Sequence, residues 1–270
     1  MPAFKSILKE FFYRIGLSKQ LDKLLFNAAV MKHKTANEVY KKANPAIAFP
    51  PDYYLYETYQ LNYQLYIEDG NLSAKEIIEW TAKYVANKPV NILEWGCGVS
   101  RTCRHLKKYI DPNSKVFACD INEIMINWNQ QNIKDVDFAT ISYHPPTSYD
   151  SSMFDIVFAI SVFTHIDIIQ QENWINEIHR ILNTNAVFLF TTHGTQYFDK
   201  LISSEKEILN KTGAFTKQYF KKGHRLMSTY NLAASFKTTL EKYFEVVEFY
   251  EGKKYLNKIG GQDLWIVRKK

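Results

Sequence analysis

The chain has 270 residues, 46% hydrophobic and 15% aromatic, which suffices for one large α/β domain plus an extra segment and excludes a disordered or fibrous protein. No apolar run approaches the ~18 residues of a membrane span. The start is broken by Lys5, Lys9, Glu10 and Arg14 and lacks a secretory signal, so the three cysteines (Cys97, Cys103, Cys119) are expected to be reduced thiols in a cytoplasmic protein.

The net charge of +6 belongs to residues 1–48, which hold nine Lys/Arg against three acids; the remainder carries 25 of each sign. In that basic arm, Phe4, Ile7, Leu8, Phe11, Phe12 and Ile15 recur at spacings of three and four, predicting an amphipathic helix with lysines beside its stripe. A second helix is predicted over Gln20–Lys42. Asn44-Pro45, Pro50-Pro51 and a run of tyrosines (53, 54, 56, 59, 63, 66) then read as a loop with aromatic anchors. Asp69-Gly70-Asn71 reads as a turn, and Ser73 with Glu76 as a capping box opening a helix to Tyr84. These features set an arm and tyrosine-rich lid over residues 1–71 apart from a domain over 72–270.

Within 72–270, strands and helices alternate. Strands are predicted at Val90–Glu94, Lys115–Cys119, Phe138–Ile141, Phe154–Ile160 and Val187–Thr191, with helices at Arg101–Ile110, Glu123–Asn132 and Gln171–Leu182. Such alternation gives βαβ units and a doubly wound, mainly parallel sheet. Phe244–Phe249 and Leu264–Val267 follow with no helix between them, so the sheet should finish with an antiparallel strand.

The chemistry centres on Glu94-Trp95-Gly96-Cys97-Gly98-Val99-Ser100-Arg101, where a buried strand runs into glycines and then a helix. A ligand can approach backbone N–H groups at such a turn. A dinucleotide site wants a third glycine where Arg101 stands, and Glu94 would repel a pyrophosphate. An acid there suits a ligand carrying an ammonium and a sulfonium. The next strand ends at Asp120, 22 residues after Gly98, placed to accept both hydroxyl protons of a ribose. Taken alone, Asp120 is equally a helix N-cap.

These residues resemble the class I S-adenosylmethionine (SAM)-dependent methyltransferases, together with Phe154-Asp155-Ile156-Val157, Ser161-Val162-Phe163-Thr164-His165, Glu177–Leu182 and Thr191-Thr192-His193-Gly194. The resemblance implies a Rossmann-like sheet of seven strands with the last antiparallel, and SAM as cofactor. It implies that Gly96 and Gly98, with Cys97, Glu94 and Arg101 in the same turn, face the methionine part. Asp120 would hold the ribose, Ile121 pack on the adenine, and backbone at Ser142 and Tyr143 read its edge, with Ser161 completing the set. This chain departs from the family at Ser100, in place of a third glycine, and at Asn183-Thr184-Asn185, where Pro-Gly-Gly is usual. It also lacks the acid or amide common after the third strand.

His144-Pro145-Pro146 lies after the third strand, not the fourth where base amino-methylating enzymes carry a similar motif, and the cysteines and histidines lack metal-ligand spacing. His165 and His193, after strands four and five, are candidate bases for a hydroxyl acceptor, each equally a structural histidine. Acceptor contacts are also expected from the insertion at Gln196–Lys237 with His224, Arg225 and Tyr230, and from the tyrosines, as a lid or as packing of the arm. The reading is methyl transfer to a small-molecule acceptor, with an oxygen nucleophile. Protein or RNA methylation and a non-catalytic SAM-binding subunit are the alternatives. The arm is expected to dock on the domain or a second copy in a homodimer, or to touch a membrane peripherally. No nucleic-acid partner is expected, because the neutral body offers no basic track.

Overall fold

A computed structural model describes residues 17–85, 89–218, 227–252 and 261–270. The predicted helix carrying Phe4 to Ile15, together with His224 and Arg225, lies outside them. At the centre is β1 (Asn91–Trp95), whose residues from Ile92 to Trp95, the carboxylate of Glu94 included, are all buried. It pairs in parallel with β2 (Lys115–Asp120) on one side and β4 (Phe154–Ala159) on the other. Beyond these lie β3 (Asp137–Thr140), β5 (Leu182–Thr192), β8 (Phe244–Tyr250) and β9 (Asp263–Lys269), giving the order β3-β2-β1-β4-β5-β9-β8. Only β9 runs against the rest, inserted between β5 and β8, as the two terminal strands predict. The chain reverses its direction of growth at β1 and β4, so the carboxyl ends of those strands border the crevice where open α/β sheets take ligands.

Alternate residues along β5 feed the two layers of the core. Phe188 and Phe190 join Trp95, Phe163, Trp174 and Trp265 on one side; Val187 and Leu189 join Ile92, Leu106, Ile156 and Ile266 on the other. The helices are α4 (Glu123–Asn132), α5 (Ile168–Ile181), α6 (Ser203–Thr212) and α7 (Ala233–Glu241). Asp167 caps α5 by accepting from the Gln170 amide at 3.0 Å, so this helix starts three residues before the predicted Gln171. The predicted helix over Arg101–Ile110 is instead a turn followed by a 3-10 helix, Cys103–Lys108. The insertion after β5 forms its own two-stranded sheet from β6 (Ala214–Gln218) and β7 (Met227–Asn231).

The arm differs most from expectation. Helix α1 (Ser18–Ala43) is present, but the tyrosine-rich stretch contains α2 (Asp52–Thr58), and α3 (Tyr63–Thr81) runs unbroken through Asp69-Gly70-Asn71. The N-cap of α3 is Asn62, which accepts from the Leu65 amide at 2.9 Å, and Ser73 is a buried mid-helix residue. Leu55, Leu61 and Tyr66 of the arm share a core cluster with Val99 and Met125 of the sheet domain. No helix among the described residues is long and apolar enough to cross a membrane.

Candidate active site

The turn after β1 is fixed from three sides. Gly96 and Cys97 donate their amides to the Cys119 carbonyl at 2.8 and 3.0 Å, tying the turn to the end of β2. Gly96 and Gly98 adopt φ of 78° and 50°, the left-handed region where a side chain is strained. A Cβ on Gly96 would lie 2.4 Å from Val162 Cγ2. Ser100 keeps the same left-handed backbone at φ 58°, and Asn185 does so at φ 63°. Serine and asparagine hold this left-handed backbone at a cost in strain that glycine would not incur.

Asp120 is not a helix cap. Its Oδ2 accepts from the Gly98 amide and its Oδ1 from the Asn122 amide, both at 2.9 Å. The cap of α4 is Asn122, which accepts from the Ile124 and Met125 amides. Asn129 Nδ2 donates to the Gly98 carbonyl at 2.8 Å from the second turn of that helix. Glu94 is 5% exposed and accepts from the Cys103 amide at 2.8 Å. Burial pushes its carboxyl up to about 7, partly offset by that bond and by Arg101. Burial also raises Asp120, against its backbone hydrogen bonds.

The arm forms the opposite wall. A Cβ on Gly70 would lie 2.1 Å from the Arg101 carbonyl oxygen, so glycine allows α3 to pack backbone to backbone on the turn. Arg101 donates to Ser73 Oγ at 3.0 Å and lies over the Tyr59 ring at 4.6 Å, while Tyr59 donates to Asp69 at 2.6 Å. Between this wall and the carboxyl ends of β1, β2 and β4 is a cavity of about 900 Å³. Its far side is bounded by Tyr143, Ser161, Val162, His165, Ile166 and Trp174. Ser161 is itself left-handed, at φ 62°, with its amide donated to Thr191 Oγ1 at 2.8 Å.

A family model described as a methyltransferase domain matches residues 92–185, the span from β1 into β5. The malonyl-[acyl-carrier protein] O-methyltransferase of Bacillus anthracis is 26% identical over 189 residues, 66% of this chain and 67% of that protein. The matched domain, the glycine turn and the strand order together support a class I SAM-dependent methyltransferase. Ajmaline N-methyltransferase of Rauvolfia serpentina is 23% identical over 141 residues, and the chain spans about half its length (47%). A SAM-dependent methyltransferase structure from Methanosarcina mazei superposes with a TM-score of 0.55 at 19% identity, over 70% of this chain and 95% of that one, an agreement of fold.

The methyltransferase brings Glu94, Gly96, Cys97, Gly98, Arg101, Asp120, Ile121, Tyr143, Ser161 and His165 to one cavity. Ser142 and His193 are not among its lining residues. The Tyr143 carbonyl, one of the two backbone groups expected to read an adenine, accepts from Trp174 Nε1 at 3.2 Å. His193 instead packs between Tyr197 and Tyr230, ring centroids 4.4 and 5.3 Å away, and burial drives its imidazole down to about 3. His165 also has a lowered pKa, from burial, but faces the cavity. Its Nδ1 donates to the Met227 carbonyl at 3.0 Å, an acceptor only, so the neutral ring keeps its lone pair on Nε2. Tyr59, one of the tyrosines expected as a lid or as packing, lines the cavity, and so do Thr58 and Asp69, which were not singled out from sequence as ligands. The other tyrosines mostly pack the arm: Tyr63 stacks on Phe49 at 4.3 Å, and Tyr53 and Tyr56 meet the Phe26 ring.

Proposed function

We propose that this methyltransferase acts on an oxygen of a small-molecule acceptor, with His165 as the base, and that the glycine turn, Arg101 and Asp120 hold the cofactor. SAM supplies an activated methyl group on a positively charged sulfur. The cavity suits a ligand of that charge: Glu57, Asp69, Glu94, Asp120 and Glu123 line it, against Arg101 as the one lysine or arginine among the described lining residues. Asp120 presents its carboxylate beside the turn and is the group for the ribose hydroxyls. Arg101, already aligned by Ser73 and Tyr59, is the partner for the amino-acid carboxylate.

The observation that carries the acceptor reading is His165, which lines the cavity, is held through Nδ1 by the Met227 carbonyl and is kept from protonating by burial. His165 would take the hydroxyl proton of the acceptor, while SAM, held by the glycine turn, Arg101 and Asp120, would supply the methyl group to that oxygen and be left as a neutral thioether. Most of the remaining barrier falls through alignment and exclusion of water. The Bacillus anthracis relative is named as an O-methyltransferase and the Rauvolfia serpentina one as an N-methyltransferase, so the acceptor atom rests on His165 rather than on kinship. The test supplies methyl-labelled SAM to a small-molecule extract and to a protein fraction, and identifies labelled products by mass spectrometry. Label in ethers or esters of small molecules is expected. Label confined to amines or to protein overturns the reading.

A further inference from the structure

Helix α1 buries one face against the arm's cluster through Phe26, Ala29 and Val30, with Asn37 buried beside them. At about 100° per residue, Leu17, Leu24, Met31 and Val39 fall in one row on the opposite face. These four are 41%, 67%, 80% and 63% exposed, and Leu25 beside them is 53% exposed. A row of large apolar side chains pointing away from the body is costly in water. Basic residues frame it. The same geometry sets Lys23, Lys34 and Lys41 along one edge and Lys32 along the other, all exposed. Over the helix, six lysines stand against two acids: Asp22 accepts from the Tyr53 hydroxyl on the body side, and Glu38 is exposed between the apolar row and the edge that carries Lys34 and Lys41.

Self-association through this face would set lysine edges against lysine edges in either orientation, because the helix is basic along its whole length. An anionic lipid surface answers both features at once, taking the apolar row into the headgroup boundary and the lysines onto lipid phosphates. We propose that the outward face of α1 docks the enzyme peripherally on anionic membranes. The arm that carries Thr58 and Tyr59 of the cavity wall would then be the part of the molecule nearest the lipid.

The test is co-sedimentation of the full chain with phosphatidylcholine vesicles, with and without about one-third phosphatidylglycerol. Binding is expected only to the anionic vesicles and is expected to weaken with salt. The variant K23E/K34E/K41E should bind at least about a hundredfold more weakly, since each lysine near such a surface contributes about fivefold. L24E/M31E should bind more than tenfold more weakly. All five positions are exposed, so melting temperatures should stay near wild type and separate lost docking from lost folding. Wild type that fails to sediment with anionic vesicles, or variants that sediment as wild type does, would overturn the proposal. So would a wild-type dimer that ignores vesicles and that L24E/M31E converts to monomer, which would assign the face to a second copy. None of these readouts depends on the methyl acceptor.

Discussion

Glu94 offers the sharpest link between the structure and a measurable quantity. In the ligand-free enzyme its buried carboxyl titrates at about 7, so at pH 6 it is mostly protonated. Binding a ligand whose ammonium lies against Glu94 favours the carboxylate, so SAM binding must expel the proton. Affinity then scales with the fraction already ionised, and should rise about fifteenfold between pH 5.5 and pH 7. The window stops there because an α-amino group ordinarily titrates near ~7.7–8.0 and would begin to lose its own charge. Calorimetric titration in two buffers of different ionisation enthalpy measures the protons released, and about half a proton per site is expected at pH 7. The same shift has a sign for folding. A carboxyl raised from 4.5 to about 7 stabilises the fold while protonated, and that contribution, ~3 kcal/mol, is lost as pH rises from about 4.5 to about 7. His193, lowered to about 3, acts oppositely, its contribution fading as pH falls below about 6.5, so the comparison must be with Glu94→Gln. That variant keeps an acceptor for the Cys103 amide and should show neither the affinity slope nor the proton release. An unchanged pH slope in Glu94→Gln would refute the placement of Glu94 beside the ligand's charge.

Asp120→Ala should weaken SAM by roughly ten- to a hundredfold in calorimetry, the ~1.5–3 kcal/mol of a charged hydrogen bond. Asp120→Asn should be nearly as poor, because its amide NH₂ would face one of the two backbone N–H groups that the carboxylate now accepts. Gly70→Ala should lower the melting temperature measurably, since the added Cβ meets the Arg101 carbonyl at 2.1 Å, backbone against backbone, and α3 must move off the turn. His165→Ala should cut turnover by roughly ~10²-fold or more with SAM affinity nearly intact, whereas His193→Phe should leave turnover on the true acceptor largely unchanged. Equal turnover losses at the two histidines would mean that the loss does not report proton transfer.

The parallel sheet and the cofactor turn were legible because each is written in adjacent residues. A strand rich in apolar residues (Val90, Ile92, Leu93, Trp95) running into Gly96, an acid 22 residues beyond Gly98, and a terminal strand pair without a helix between them fix the crossover, the second strand tip and the antiparallel β9. What adjacency cannot express is tertiary placement. His165 and His193 both follow strands and looked equivalent, yet β7 crosses between their roles: its Met227 carbonyl orients His165 at the cavity, while its Tyr230 closes over His193. Neither β6 nor β7 was predicted, and without them the two histidines cannot be told apart. The helix after the turn failed for a related reason, since Glu94 draws the Cys103 amide inward and tightens the chain into a 3-10 segment.

The arm shows how a correct local signal can carry the wrong conclusion. Asp69-Gly70-Asn71 has the composition of a turn, and by propensity alone glycine costs a helix about 1 kcal/mol relative to alanine. The wider spacing, however, places Tyr66, Gly70, Ser73, Ala74, Ile77 and Thr81 on one buried face, which is a helix with a small-residue contact rather than two elements. That contact is with Arg101, so the glycine that weakens the helix is what lets the arm reach the turn. Asp69, one position earlier, then holds Tyr59 over the Arg101 guanidinium, and the cavity gains a wall the sheet alone does not supply. A bulkier residue at 70 would therefore act on the cofactor side as well as on the helix, by moving Tyr59 and Asp69 together. This coupling distinguishes an arm that builds the site from one that merely covers it.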